Sequence, residues 1–183
     1  MDIYVTLLFF IIPYFSISIG IEAFIANSRN IEINNAEDMI SSLSSGLTNT
    51  IRDVMKISII VISYSFLETH LTIYKIEPLW LAVIGAFIIK DFSGYWIHRM
   101  NHRVNIFWNR HYIHHSSENF NLSCALRQSI SNSIQFTAIF MIPAALLGIP
   151  SSIFVILSPI HLFLQFWYHT QLIDKLGFLE YVL

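Results

Sequence analysis

Residues 78–102 read PLWLAVIGAFIIKDFSGYWIHRMNH. The apolar part, roughly 78–98, has the ~20 residues that a helix rising 1.5 Å per residue needs to cross the hydrocarbon core of a bilayer. It ends at His98 and His102, four residues apart, so a helix stacks both imidazoles on one face about 5–6 Å apart at Cβ. Two such rings can share one metal ion. A span that carries paired histidines to one of its ends therefore bears on the fold and on the chemistry together.

Four further apolar stretches flank this one, at roughly 3–25, 55–74, 132–149 and 152–172. The composition agrees with them: 55% of the 183 residues are hydrophobic and 12% charged, against about 25% charged in a soluble domain. These features predict an all-α fold, a multi-pass transmembrane helical bundle of about five membrane segments. The first stretch lacks a basic leader and a small-residue cleavage site and exceeds a signal peptide's apolar core, so it reads as a retained span. Residues 27–53, NSRNIEINNAEDMISSLSSGLTNTIRD, suit an interfacial loop or a short surface helix better than a span. Ile76-Glu77-Pro78 and Ile149-Pro150-Ser151 read as tight turns between antiparallel helices. No internal repeat is present.

Charge sets the orientation expected of this bundle. Arg29, Arg52, Lys56, Arg99, Arg103, Arg110, Arg127 and Lys175 fall on one side of a five-span arrangement and Lys75 on the other. The positive-inside rule then places the N-terminus outside and the C-terminus and histidines in the cytoplasm. The net charge of −2, without a Lys/Arg cluster, argues against a nucleic-acid partner. The lone Cys124 can form neither an internal disulfide nor a thiolate cluster, leaving nitrogen and oxygen as the abundant ligand atoms.

Five of the eight histidines lie between His98 and His115. Imidazole is both the commonest metal ligand among side chains and the group that titrates nearest neutral pH, so a cluster suggests a metal site or a pH switch. His111, His114 and His115 repeat the helical device at i, i+3, i+4, and two interlocking helical spacings favour metal, since a switch needs no such register. Hydrolytic zinc chemistry of the H-E-x-x-H type is excluded, because Arg99 stands where the general-base Glu is required. Asp91 lies two turns before His98 on the same stripe. A carboxylate inside a span is expensive, and Asp91 either orients a ligand histidine from outside the coordination shell or pairs with Lys90, which sits about 12 Å below His98 at 1.5 Å per residue. Glu118 either does the same for the second cluster or is an ordinary solvated residue. His169, at the level of the cluster near the end of the last span, is a sixth candidate ligand. His70 and His161 read as packed helix residues.

The pieces HRMNH (98–102), HYIHHSSE (111–118), NLSCALRQS (121–129) and QFWYHT (165–170) resemble the fatty acid hydroxylase and sterol desaturase superfamily, and within it most the alkylglycerol monooxygenase-like members. The resemblance runs from about Phe87 to the end of the chain. It implies residues 85–183 as a fatty acid hydroxylase-like domain preceded by membrane segments and an interfacial loop at 1–84. It also implies a non-haem di-iron centre held by His98, His102, His111, His114 and His115, with His169 matching a histidine late in the last helical segment. Such a centre uses O2 to hydroxylate or oxidatively cleave a membrane lipid, in a bacterial inner membrane or the endoplasmic reticulum. Members of the superfamily draw electrons from tetrahydrobiopterin or from cytochrome b5, and these residues do not choose between them. The superfamily carries a further H-x2-H-H box downstream of KLGFLEYVL, so the chain is expected to be truncated before its last ligand set. Outside that class, the alternatives are a non-catalytic metal-binding membrane fragment and a zinc-binding membrane protein.

Overall fold

In the computed structural model the described residues are 3–33, 35–175 and 177–181; the chain's end at Leu183, where the expected truncation falls, lies outside them. Among these residues seven α-helices are formed: α1 (Ile3–Ser28), α2 (Ala36–Val54), α3 (Tyr64–Leu71), α4 (Leu79–Arg103), α5 (Asn105–His111), α6 (Ile142–Leu146) and α7 (Ser151–Phe166). Short 3-10 turns fill much of the rest, and the only strands among the described residues are the two-residue pair β1 (Ile59–Ile60) and β2 (Ile134–Gln135). The protein is all-α and carries its apolar surface outward. Phe10 is 72% exposed and Leu79 66% exposed, as lipid-facing side chains are in the absence of lipid.

Among the described residues three helical stretches are long and apolar enough to cross a bilayer: Phe9–Ser28, Leu79–Arg103 and Ser151–His169. The expected second and fourth segments are not continuous helices. In 55–74 the run Ile57–Ile62 is rich in β-branched residues, which lose rotamer freedom in a helix. Lys56 there takes a positive φ of 55°, and Ser63 caps the eight-residue α3 by accepting the Phe66 N–H. In 132–149 Pro143 has no N–H to give and stands in the first turn of α6, while the helix it would have continued becomes a 3-10 turn over Thr137–Met141. Both segments nonetheless carry the chain back across the molecule, and the parallel β1–β2 contact ties one return path to the other.

As a result α1, α4 and α7 all point their C-terminal ends the same way. At the opposite end Leu146 O accepts from Ile73 N (3.1 Å) and Tyr74 N (3.2 Å), and the small residues Ala82, Ala86 and Ala144 pack with Ile149, Ile153 and Leu157. Small side chains there let the helices approach closely. At the histidine end the core is Phe15, Ile19, Leu122 and Phe166, with the Phe15 and Phe166 rings stacked at 4.3 Å. Helix α2 packs across that end, N-capped by Asn35, whose side chain accepts the Glu37 N–H. Its polar residues Asp38, Ser42 and Asn49 are buried, whereas Ile40, Leu43, Leu47 and Ile51 on the other side are exposed.

Candidate metal centre

The histidine end is built by a helix that stops and turns back. Val104 leaves the helical region (φ −116°, ψ 119°) and ends α4 just after His102, and the seven-residue α5 returns to place His111 against it. His98 and His102 bring their Nε2 atoms to 3.1 Å of each other, and His111 and His115 do the same at 3.1 Å. The four ligand nitrogens lie within 4.8 Å of one another. Trp108 roofs the group, its ring stacked on His115 at 5.9 Å and tilted over His102 at 5.4 Å.

His114 faces away from this foursome. Its Nδ1 lies 3.1 Å from the Arg127 carbonyl oxygen and its Nε2 3.4 Å from Nε2 of His169, which the end of α7 delivers. All six candidate ligands are thus brought to one end of the molecule, as a group of four and a neighbouring pair. The His111 and His114 ring centroids are 5.4 Å apart across the two sets.

Two imidazole nitrogens 3.1 Å apart can share one proton at most. They are also spaced as two ligands of one ion are, each about 2.0–2.1 Å from it. Protonation would defeat binding, and the surroundings oppose it. Burial, followed by the neighbouring imidazoles, lowers the His111 pKa to about 3. Burial lowers that of His114 to about 4 against the opposing Arg127 carbonyl, and burial lowers His115 as well. The His111, His114 and His115 rings are thereby kept neutral near pH 7 and offer lone pairs, as a divalent metal requires. The donor set fits a metal of the iron, zinc, copper or nickel type.

The acidic residues singled out in the sequence behave differently. Asp91 does not reach a ligand histidine, because two helical turns, about 10.5 Å, separate it from His98 along α4. Its Oδ1 lies 3.3 Å from Nε2 of His161 on α7, which is drawn in where Gly94 has no side chain; a Cβ there would stand 3.3 Å from the His161 ring. Glu118 contributes its backbone N–H, at 3.4 Å from Asp38 Oδ1. The residues that do surround the site were not visible in the sequence. Arg127 is 6% exposed and pairs with Asp38 (2.6 Å), itself 9% exposed, and Glu22 accepts the Leu122 N–H (2.7 Å) and the Thr170 hydroxyl (2.6 Å). The one signal available was a charged residue, Arg127, inside the otherwise uncharged NLSCALRQS.

A cavity of about 450 Å³ opens on the histidines, lined by His98, His111, His114 and His169 together with Phe15, Leu126, Leu162 and Phe166 and the polar Asp91, Gln128 and Gln165. Its size and lining match an apolar ligand that presents one atom to the nitrogen cluster.

A family model described as fatty acid hydroxylase matches residues 83–183. Over 152 residues the chain is 40% identical to the alkylglycerol monooxygenase of Danio rerio, covering 80% of this chain and 32% of the relative. The Xenopus tropicalis alkylglycerol monooxygenase is 37% identical over 175 residues, covering 93% and 38%, and that of Homo sapiens 39% identical over 149 residues, covering 80% and 33%. The chain thus spans about a third of the length of the curated relatives it matches. No solved structure matches it.

Proposed function

The chain belongs to the fatty acid hydroxylase family, and on that premise we propose that it carries the metal centre of a membrane di-iron oxygenase that hydroxylates or oxidatively cleaves a lipid with O2. The observation that supports this most is the joint placement of two donor sets, His98–His102–His111–His115 and His114–His169, of which His98, His111, His114 and His169 line a cavity that also carries Phe15, Leu162 and Phe166. Ligand type alone leaves several metals open, and membership of an iron-dependent family selects iron. When bound, the iron supplies the activation of O2.

The protein's own residues do the rest. The six imidazoles would hold the metal through their ring nitrogens. The Arg127 carbonyl accepts the Nδ1–H of His114 and so leaves its Nε2 to face His169. Phe15, Leu162 and Phe166 exclude water and line the path of an alkyl or acyl chain, whose reactive carbon is brought to the histidine wall. A lipid reaches this cavity from the bilayer, because the site stands where α4 and α7 end. Alkylglycerols are the first substrate class to test, given the relatives' names; tetrahydrobiopterin and cytochrome b5 are the electron donors to compare.

The test is metal analysis of the protein purified under conditions that prevent exchange, followed by lipid oxidation after reconstitution with ferrous iron. Iron should be retained, and His98→Ala or His111→Ala should empty the four-histidine set and remove turnover while membrane insertion persists, since insertion is driven by apolar helices. Retention of zinc alone, with no oxidation of any lipid class after iron reconstitution, would falsify the oxygenase reading.

A further inference from the structure

Helix α2 turns its polar side inward. Asp38, Ser42, Ser45 and Asn49 recur at i, i+4, i+7, i+11, one stripe along the helix, and the stripe grips two consecutive residues of the segment opposite. Arg127 donates to Asp38 Oδ1 (2.6 Å), to the Asp38 carbonyl (2.8 Å) and to Ser42 Oγ (3.1 Å). Gln128 gives its N–H to Ser45 Oγ (2.9 Å), and its carbonyl accepts from Ser45 (2.7 Å) and from Asn49 Nδ2 (3.0 Å). The remaining arm of the Arg127 guanidinium donates to Ser116 Oγ (3.3 Å), in the very turn that carries His114 and His115. Asp38 in turn accepts from the Ser117 hydroxyl and the Glu118 N–H.

The carbonyl held in place by these bonds is the one that receives Nδ1 of His114, at 3.1 Å. A ring that donates from Nδ1 must offer its lone pair from Nε2, and a fixed acceptor fixes the ring plane as well as the tautomer. Taking His114 as a ligand, as the proposed function does, we propose that Asp38 and Arg127 are positioning residues for the metal centre, through which the buried stripe of α2 sets the tautomer and aim of His114. Arg127 meets His114 through its backbone carbonyl alone, and Asp38 acts through Arg127. Arg127 suits the task because its planar fork reaches Ser42, Ser116 and Asp38 from three separate nitrogens, whereas a lysine would have to serve them all from one.

The experiment is a titration of the detergent-purified, metal-free chain with cobalt(II) chloride, followed through its visible absorption bands, for wild type, Arg127→Lys, Arg127→Met, Asp38→Asn and Arg29→Met. The last replaces an exposed arginine just past the end of α1, outside the stripe of α2, and should leave affinity and bands unchanged. Arg127→Met, Arg127→Lys and Asp38→Asn should weaken cobalt binding by roughly 10- to 100-fold and shift the bands, because the geometry at the ion changes. Should Arg127→Met lose its helical circular dichroism, the two milder variants decide. Folded variants with wild-type affinity, or with weaker binding and an unaltered spectrum, would overturn the proposal. Absence of cobalt bands in the wild type would instead refute the metal-centre reading on which it rests.

Discussion

At the scale of single residues, the two most deeply shifted histidines link the site to acid stability. In an unfolded chain His111 and His114 titrate near 6.5, whereas in the folded protein burial and neighbouring imidazoles bring them to about 3 and about 4. Between those values the unfolded state binds more protons than the native state, so stability rises with pH across the window. The contribution is complete above about pH 6.5 and is lost as the pH falls toward 4. Asp38 adds to the same trend lower down: burial alone would raise its carboxyl, but Ser117, Arg127 and the Glu118 N–H together hold it below its usual value. The thermal midpoint of the metal-free protein in detergent should therefore be flat above pH 7 and decline from pH 6.5 to 4, and His111→Ala with His114→Ala should flatten the decline. A midpoint that does not move between pH 7 and 5 would contradict the half-buried, neutral rings of His111 and His114. His98, His102, His111, His114 and His115 could be read from the sequence because i, i+3 and i+4 spacings are local, whereas His169 stood out only by its level on the last span and by the resemblance. Asp38 and Arg127 could not, being 89 residues apart and paired only by the docking of α2. The stripe argument for Asp91 followed a single helix and so missed His161, which comes from another.

At the scale of elements, apolar length identified α1, α4 and α7 but overestimated the two stretches between them. A hydropathy count cannot distinguish a helix from an apolar chain interrupted by β-branched residues, capping serines or Pro143. Nor could it show that the polar stripe of α2 is the buried one. The second return path depends on a glycine at its turn. Gly148 has a φ of +57°, and a Cβ there would lie 2.8 Å from both Thr72 Cγ2 and the Tyr74 carbonyl oxygen. A non-glycine residue held at such a φ costs on the order of 1–3 kcal/mol before any clash. Gly148→Ala is expected to lower stability by at least that much and to loosen the contact between residues 72–76 and 145–149 at which Thr72 donates to the Ala145 carbonyl (3.1 Å). Gly20, inside α1 with nothing within 4 Å of a built Cβ, is the comparison. Gly20→Ala should be neutral or stabilising by about 0.5–1 kcal/mol, because alanine loses less backbone entropy in a helix. Equal effects of the two substitutions on chemical unfolding in detergent would show that the turn at 148 is not the constrained point.

At the scale of the whole molecule, the three long helices run parallel, and the six candidate ligands collect at their common C-terminal end. Eight of the ten basic residues, Arg29, Arg52, Lys56, Arg99, Arg103, Arg110, Arg127 and Lys175, belong to that end or to the segments packed across it. Lys75 lies at the other end, in the turn before α4, and Lys90 within α4. Replacing two of the five expected spans by irregular return paths leaves this asymmetry intact, because the returns still exchange one end for the other. Since lysine and arginine near span ends resist translocation, the histidine end should be cytoplasmic. Single cysteines at Glu118→Cys and Glu77→Cys, both exposed positions at opposite ends, report on this directly. The native Cys124 is buried at 4% exposure and should stay silent, and a Cys124→Ala background checks that it does. In intact cells a membrane-impermeant thiol reagent should label Glu77→Cys alone, and Glu118→Cys only once the membrane is opened. The reverse pattern would invert the molecule. Labelling of both in intact cells would mean that the two ends do not lie on opposite sides of a bilayer, and that the convergence of the three C-termini is not a membrane topology.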